Sequence, residues 1–164
     1  MRVNKLLVMG GLRRKNEADL KSGQKNCLAR MGVIDLESGK FEVKLDYRSP
    51  EEHCPGVLPG LRFTTGSIHD GLIIAPTTTE VLFVDKSGFE VKQVISDPRF
   101  NDVHSAVMHD GKLYVANTGL DCIETYRMPK ASFCERHYLG STPIEKRFDE
   151  QTDYRKLHST GDHE

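Results

Sequence analysis

The chain has 164 residues, 37% of them hydrophobic and 29% charged, with 23 Lys and Arg against 24 Asp and Glu. This make-up describes one ordinary folded domain and excludes a disordered segment. The balanced charge gives no global field to hold a polyanion, so no nucleic-acid partner is expected.

The positive start at Arg2 and Lys5 precedes only Leu6-Leu7-Val8-Met9 before Gly10-Gly11, which is too short a run for an export signal. Charged residues break every later apolar stretch well short of a membrane span. A cytoplasmic protein with no membrane partner is expected. Cys27, Cys54, Cys122 and Cys134 form no C-x-x-C pair and have no His at zinc-finger spacing, so reduced thiols are expected.

In chain order the apolar alternation predicts short strands separated by turn residues. A first unit has three, over 6–10, 27–35 and 40–47, with 10–25 as a long insertion. A second has four, over 61–68, 72–77, 80–85 and 89–96. A third has four, over 103–108, 112–117, 121–126 and 133–138. Two echoes tie the units together. His69-Asp70-Gly71-Leu72-Ile73-Ile74-Ala75 returns as His109-Asp110-Gly111-Lys112-Leu113-Tyr114-Val115-Ala116 with one residue inserted, and Phe41-Glu42-Val43-Lys44 returns as Phe89-Glu90-Val91-Lys92. Each of the latter follows an apolar run ending in Asp and a Ser-Gly turn.

Four strands every 40 to 50 residues are the blade pattern of a β-propeller. The expectation is an all-β chain of about three antiparallel blades, the first lacking its innermost strand, as in a truncated six-bladed ring. The partial propeller would span 1–139, with blades at 1–50, 60–97 and 101–139, and 140–164 would be a polar inter-blade loop or tail. Exposed blade edges imply further blades, or a second copy in a homodimer, to complete the ring.

Phe100-Asn101-Asp102-Val103-His104 and Tyr114-Val115-Ala116-Asn117-Thr118-Gly119-Leu120-Asp121 resemble the blades of six-bladed propellers of the gluconolactonase, senescence-marker, paraoxonase and NHL-repeat type, a match covering mainly residues 60–127. The absence of Trp weighs against WD40 blades. The resemblance implies calcium as cofactor, with Asn101 as a metal ligand and Asp102 as a support or second ligand. Calcium accepts amide and carboxylate oxygens in flexible geometry. Strand alternation puts Asn101 and Asp102 on opposite sides, so aiming both at one ion, with His104 beside them, requires a bend or bulge at Asp102.

His104 is the candidate proton carrier, its plainer reading being a strand His with one backbone hydrogen bond. Asn117 is a candidate ligand contact in a turn. Arg13 and Arg14, with Lys15, Lys21 and Lys25, are candidates for an anion site in the long insertion, whose plainer reading is a solvated loop. His69 and His109 read as turn residues. His53 and Cys54, adjacent on an extended segment, point apart and are poorly placed for nucleophilic catalysis. If Tyr126 pairs with Phe133, Cys122 falls opposite His137 and Tyr138, which disfavours a disulfide with Cys134.

The reading is a binding scaffold for a small molecule or protein, with no catalytic activity assignable. The alternative is a calcium-dependent lactonase or esterase-type hydrolase completed by other blades.

Overall fold

The computed structural model describes residues 4–14, 26–55, 61–138, 149 and 151–157. They form three antiparallel sheets. Blade one contains β1 (Lys5–Arg13), β2 (Asn26–Asp35) and β3 (Phe41–Tyr47), in the order β1-β2-β3. Blade two contains β4 (Ser67–His69), β5 (Leu72–Pro76), β6 (Val81–Asp85) and β7 (Val91–Ile95). Blade three contains β8 (Val103–His109), β9 (Lys112–Asn117), β10 (Cys122–Arg127) and β11 (Ser132–Tyr138). Both four-stranded sheets follow chain order from inside to outside, and blade one lacks an innermost strand among the described residues.

The repeats have local physical causes. Asp70-Gly71 and Asp110-Gly111 all have positive φ, between 46° and 79°, which is the two-residue hairpin turn that matches strand twist and favours Asp-Gly. Asp35 Oδ1 accepts from the N–H groups of Glu37 and Ser38 and from Ser38 Oγ, and Asp85 Oδ2 accepts from the N–H groups of Ser87 and Gly88 and from Ser87 Oγ. The carboxylate after each apolar run therefore closes the next hairpin.

Two expectations need adjustment. β1 runs on through Gly11 to Arg13, pairing Leu12 with Leu28 and Arg13 with Asn26, so the insertion begins later than expected. The innermost strand of blade two is only three residues long, because the segment before it bonds to neighbours. Leu61 N–H donates to Asn26 O, Phe63 N–H to Gly10 O, and Thr65 N–H to His104 O at 3.0 Å. Parallel bridges Cys27↔Leu61 and Thr65↔Ser105 thus tie each blade to the next.

Cores fill the gaps between sheets. Ala29 and Met31 of blade one meet Phe63, Ile73, Ala75, Leu82 and Val84 of blade two. Ile74, Val81, Phe83 and Ile95, on the opposite face of blade two, meet Phe100, Val103, Ala106, Leu113, Val115 and Tyr126 of blade three. A sheet buried on both faces must be apolar at successive positions, which is why β5 and β6 show no polar alternation. The array is a partial β-propeller, with its blades stacked side by side.

Candidate functional site

The polar side chains concentrate where the hairpins after β5 and β9 meet the connectors that join blades. At the blade one–two junction the centre is Glu80, whose side chain has no solvent exposure. Its Oε1 accepts from Tyr47 Oη at 2.8 Å and faces His53 Nδ1 at 2.9 Å, while Oε2 accepts from Ser49 Oγ and from Thr77 Oγ1 at 3.3 Å. Burial and the neighbouring carboxylate push the Tyr47 hydroxyl well above its ordinary range. Donors on both oxygens satisfy the buried acid and pin residues 47–53 to the hairpin.

His53 is oriented at one nitrogen by a carboxylate and is 30% exposed, the arrangement of a base held by an orienting acid. Among the described residues beside it, neither Cys54 nor Ser49 is poised as a nucleophile. Burial raises the thiol of Cys54, and the Ser49 hydroxyl is committed to Glu80. Neither Glu80 nor this cluster was legible in the sequence. The available signal was one carboxylate, in Thr77-Thr78-Thr79-Glu80, entering a run of fully buried apolar residues.

At the blade two–three junction, Asn117 Oδ1 accepts the Asn101 N–H at 2.9 Å and Asn117 Nδ2 donates to Arg99 O at 2.7 Å. Asn101 Nδ2 donates to Tyr154 O at 2.7 Å and to Leu157 O at 3.2 Å, binding residues 153–157 to the pole. Asn101 Oδ1 is buried with no hydrogen-bond partner among the described residues and lies against Gly119, where an added Cβ would fall 1.8 Å from it. Arg99 pairs with Asp97 and lies 3.9 Å from the centroid of the Phe133 ring. Burial alone would raise Asp97, but the hydrogen bonds from Arg99 outweigh it and hold the carboxyl below its ordinary range. Arg155 does the same for Asp153.

The bend sought at Asp102 is present. Asp102 has φ 51°, and the β8–β9 register shifts between Val103 and Ser105. Asp102 Oδ2 lies within 3.3 Å of His104 Nε2, its neighbour on the same side by strand alternation, with the His side chain 48% exposed and the Asp side chain 16% exposed. The candidates thus fall into two pairs, Asp102 with His104 and Asn101 with Asn117. Arg13 ends β1, Arg14 follows it, and Lys15, Lys21 and Lys25 lie outside the described residues. Among the described residues, no three His, Cys, Asp or Glu side chains are grouped to hold a metal ion.

All four cysteines are free, and Cys122 lies opposite Tyr138, as the hairpin register required. Among the described residues no helix is long and apolar enough to cross a membrane.

No protein-family model and no curated protein matches the chain. Among solved structures it is similar to Saccharomyces cerevisiae Sqt1, with 11% identity over 69% of this chain and 30% of that one and a TM-score of 0.47. It is also similar to the AfRom2 CNH domain, with 10% identity over 69% and 38% and a TM-score of 0.47. A europium-containing methanol dehydrogenase gives 10% identity over 67% and 21%, with a TM-score of 0.44. The chain spans between 21% and 38% of the length of these structures. The propeller assignment rests on strand order and inter-blade bridges, not on likenesses of this strength.

Proposed function

We propose that the chain is a ligand- or partner-binding scaffold, with His104 on the innermost strand of blade three and Asp102 at the bend that enters it as its contact lip. The observation that carries this reading is the Asp102–His104 pair, with the imidazole half open to solvent, where the bend at Asp102 enters a strand fixed from blade two. Thr64 Oγ1 donates to Val103 O at 3.0 Å and Ser67 Oγ to Ala106 O at 2.9 Å on either side of the Thr65–His104 bond. A fixed strand offering one acid and one imidazole suits recognition of a small polar molecule or a peptide.

Within this reading the six-bladed gluconolactonase and NHL-repeat type is the finer assignment, the cytoplasm the compartment, and further blades or a second copy the completion of the ring. Calcium does not fit the described residues. Asn101 would offer one oxygen of the six to eight that calcium takes, and that oxygen packs against Gly119 while the amide nitrogen is held by two carbonyls.

The test is two-sided. Sugar lactones, nucleosides and short peptides are titrated into isotope-labelled chain. Amide shifts are expected to centre on Asp102 and His104 and to vanish in His104→Ala. The same chain is assayed for hydrolysis of gluconolactone and phenyl acetate with calcium. Hydrolysis lost in Asn101→Ala would replace the scaffold reading with the hydrolase, and shifts confined to other surfaces would remove the lip.

A further inference from the structure

A tyrosine far along the chain is held as a bound peptide would be. Tyr154 has both main-chain groups engaged by the connector that leads into blade three: its N–H donates to Pro98 O at 2.7 Å, and its carbonyl accepts from Asn101 Nδ2 at 2.7 Å. The residue is only 6% exposed. Arg155 is engaged as well, its Nη1 donating to Ser96 Oγ at 2.9 Å with the Asp97 carboxylate close enough to stabilise the guanidinium. Asn101 Nδ2 also reaches Leu157 O, at 3.2 Å.

The segment shapes itself before it docks. Asp153 Oδ1 accepts from the Arg155 N–H at 3.2 Å and from Arg155 Nε at 2.8 Å, and the Leu157 N–H donates to Tyr154 O at 3.1 Å, closing a single turn over Tyr154–Lys156. A short turn capped by its own Asp is a shape that another chain can present.

The receiving surface is fixed from the sheet side. Asn117 holds the connector through the Asn101 N–H and Arg99 O. Gly119 sets the aim of the Asn101 amide: an added Cβ would fall 1.8 Å from Oδ1, so a residue without one leaves the oxygen there and Nδ2 facing the segment. Lys156 and Leu157 are exposed. The surface thus selects an aromatic ring and a guanidinium, and takes from the last residue only its carbonyl.

We propose that residues 96–101 form a recognition site for a peptide turn of the form Asp-aromatic-Arg, that residues 153–157 occupy it in cis, and that a partner protein presenting the same turn displaces them. The contact is small, and a tethered segment acts at an effective concentration on the order of millimolar, so a turn that binds weakly between separate molecules still holds within one chain. This surface is distinct from the lip at Asp102 and His104, and the test separates the two.

In the full chain, Tyr154→Ala removes the ring of the resident turn, and a fluorescent peptide copying residues 151–157 is titrated by anisotropy. Backbone amide spectra check that each variant keeps its fold. The Tyr154→Ala chain is expected to bind the peptide at least about tenfold tighter than the unaltered chain, because it no longer competes with a tethered copy. A peptide carrying Arg155→Gln should bind about tenfold more weakly, having lost a hydrogen bond from a charged group. Asn101→Asp, added to Tyr154→Ala, puts an acceptor against two carbonyls and should abolish binding, whereas His104→Ala should leave it unchanged. Equally weak binding by the Tyr154→Ala and unaltered chains, or indifference to the peptide arginine, would overturn the site without any change to Asn101. Binding that survives Asn101→Asp would also overturn it, and if His104→Ala abolishes that binding instead, the peptide lies on the lip and the scaffold reading stands alone.

Discussion

The two blade junctions perform one geometric task with different chemistry. Thr77 and Asn117 stand at the same place, five residues after the equivalent positions Leu72 and Lys112 that follow each Asp-Gly turn. At the first junction Thr77 adds one bond to a carboxylate, Glu80, which gathers donors from Tyr47, Ser49 and His53. At the second, Asn117 itself spans the connector, donating to Arg99 O and accepting from the Asn101 N–H, with the Asp97–Arg99 pair alongside. The first junction hangs on one buried carboxyl group. The second divides its load between neutral amides and an ion pair, so single losses should be felt unequally.

Removing the hub should have the larger effect. Glu80→Ala leaves several partly buried hydroxyls and His53 without their acceptor and is expected to cost about 3 kcal/mol, since each stranded buried polar group costs about 1–3 kcal/mol. Asn117→Ala strands one N–H and one C=O and should cost about 2 kcal/mol. Denaturant midpoints of the two variants, at unchanged slope, check the order. Equal losses would show that Glu80 is no hub.

Acid should act on the second junction through Asp97 and Asp153. Both carboxyls are held below their ordinary range in the folded chain, by Arg99 against the opposing cost of burial and by Arg155 respectively. Stability from such groups is fully present above the unfolded carboxylate pKa of about 4 and is lost as pH falls through the lower folded values. Hydrogen exchange at the Tyr154 amide, which bonds to Pro98 O, should therefore accelerate below about pH 4. An exchange rate that, after correction for intrinsic chemistry, stays flat to pH 2 would separate the docking from these two acids.

The smallest effect concerns thiols. Burial pushes Cys122 up to about 12, whereas Cys134 is exposed. A maleimide at neutral pH should label Cys134 first and Cys122 only on unfolding, because thiolate and access both govern the rate. Peptide mapping of labelling order reads this directly.

What the sequence made legible was local. Asp-Gly turns, Asp-capped Ser-Gly hairpins and strand alternation all act within a few residues, so His69-Asp70-Gly71 and Val33-Ile34-Asp35 disclosed their roles. The bend at Asp102 was legible only as a condition of aiming Asn101, Asp102 and His104 at one ion, with the turn preference of Asn-Asp behind it. The junctions were not, since Glu80 and Tyr47 are 33 residues apart and Asn101 and Tyr154 are 53 apart. Reading a carboxylate as a hub requires knowing which connector folds over it.

The central claim is that the three sheets stand side by side, with the inner segments of blades two and three adjacent and parallel. The Thr65 N–H to His104 O bond, 3.0 Å long, and the Thr65↔Ser105 bridge are its most direct expression. Nuclear Overhauser spectroscopy on the labelled chain tests it without mutation. The expected result is a contact between the Thr65 amide and the His104 or Ser105 backbone, together with the antiparallel contacts inside each sheet. Intact intra-sheet contacts with no Thr65 contact to His104 or Ser105 would contradict the propeller arrangement.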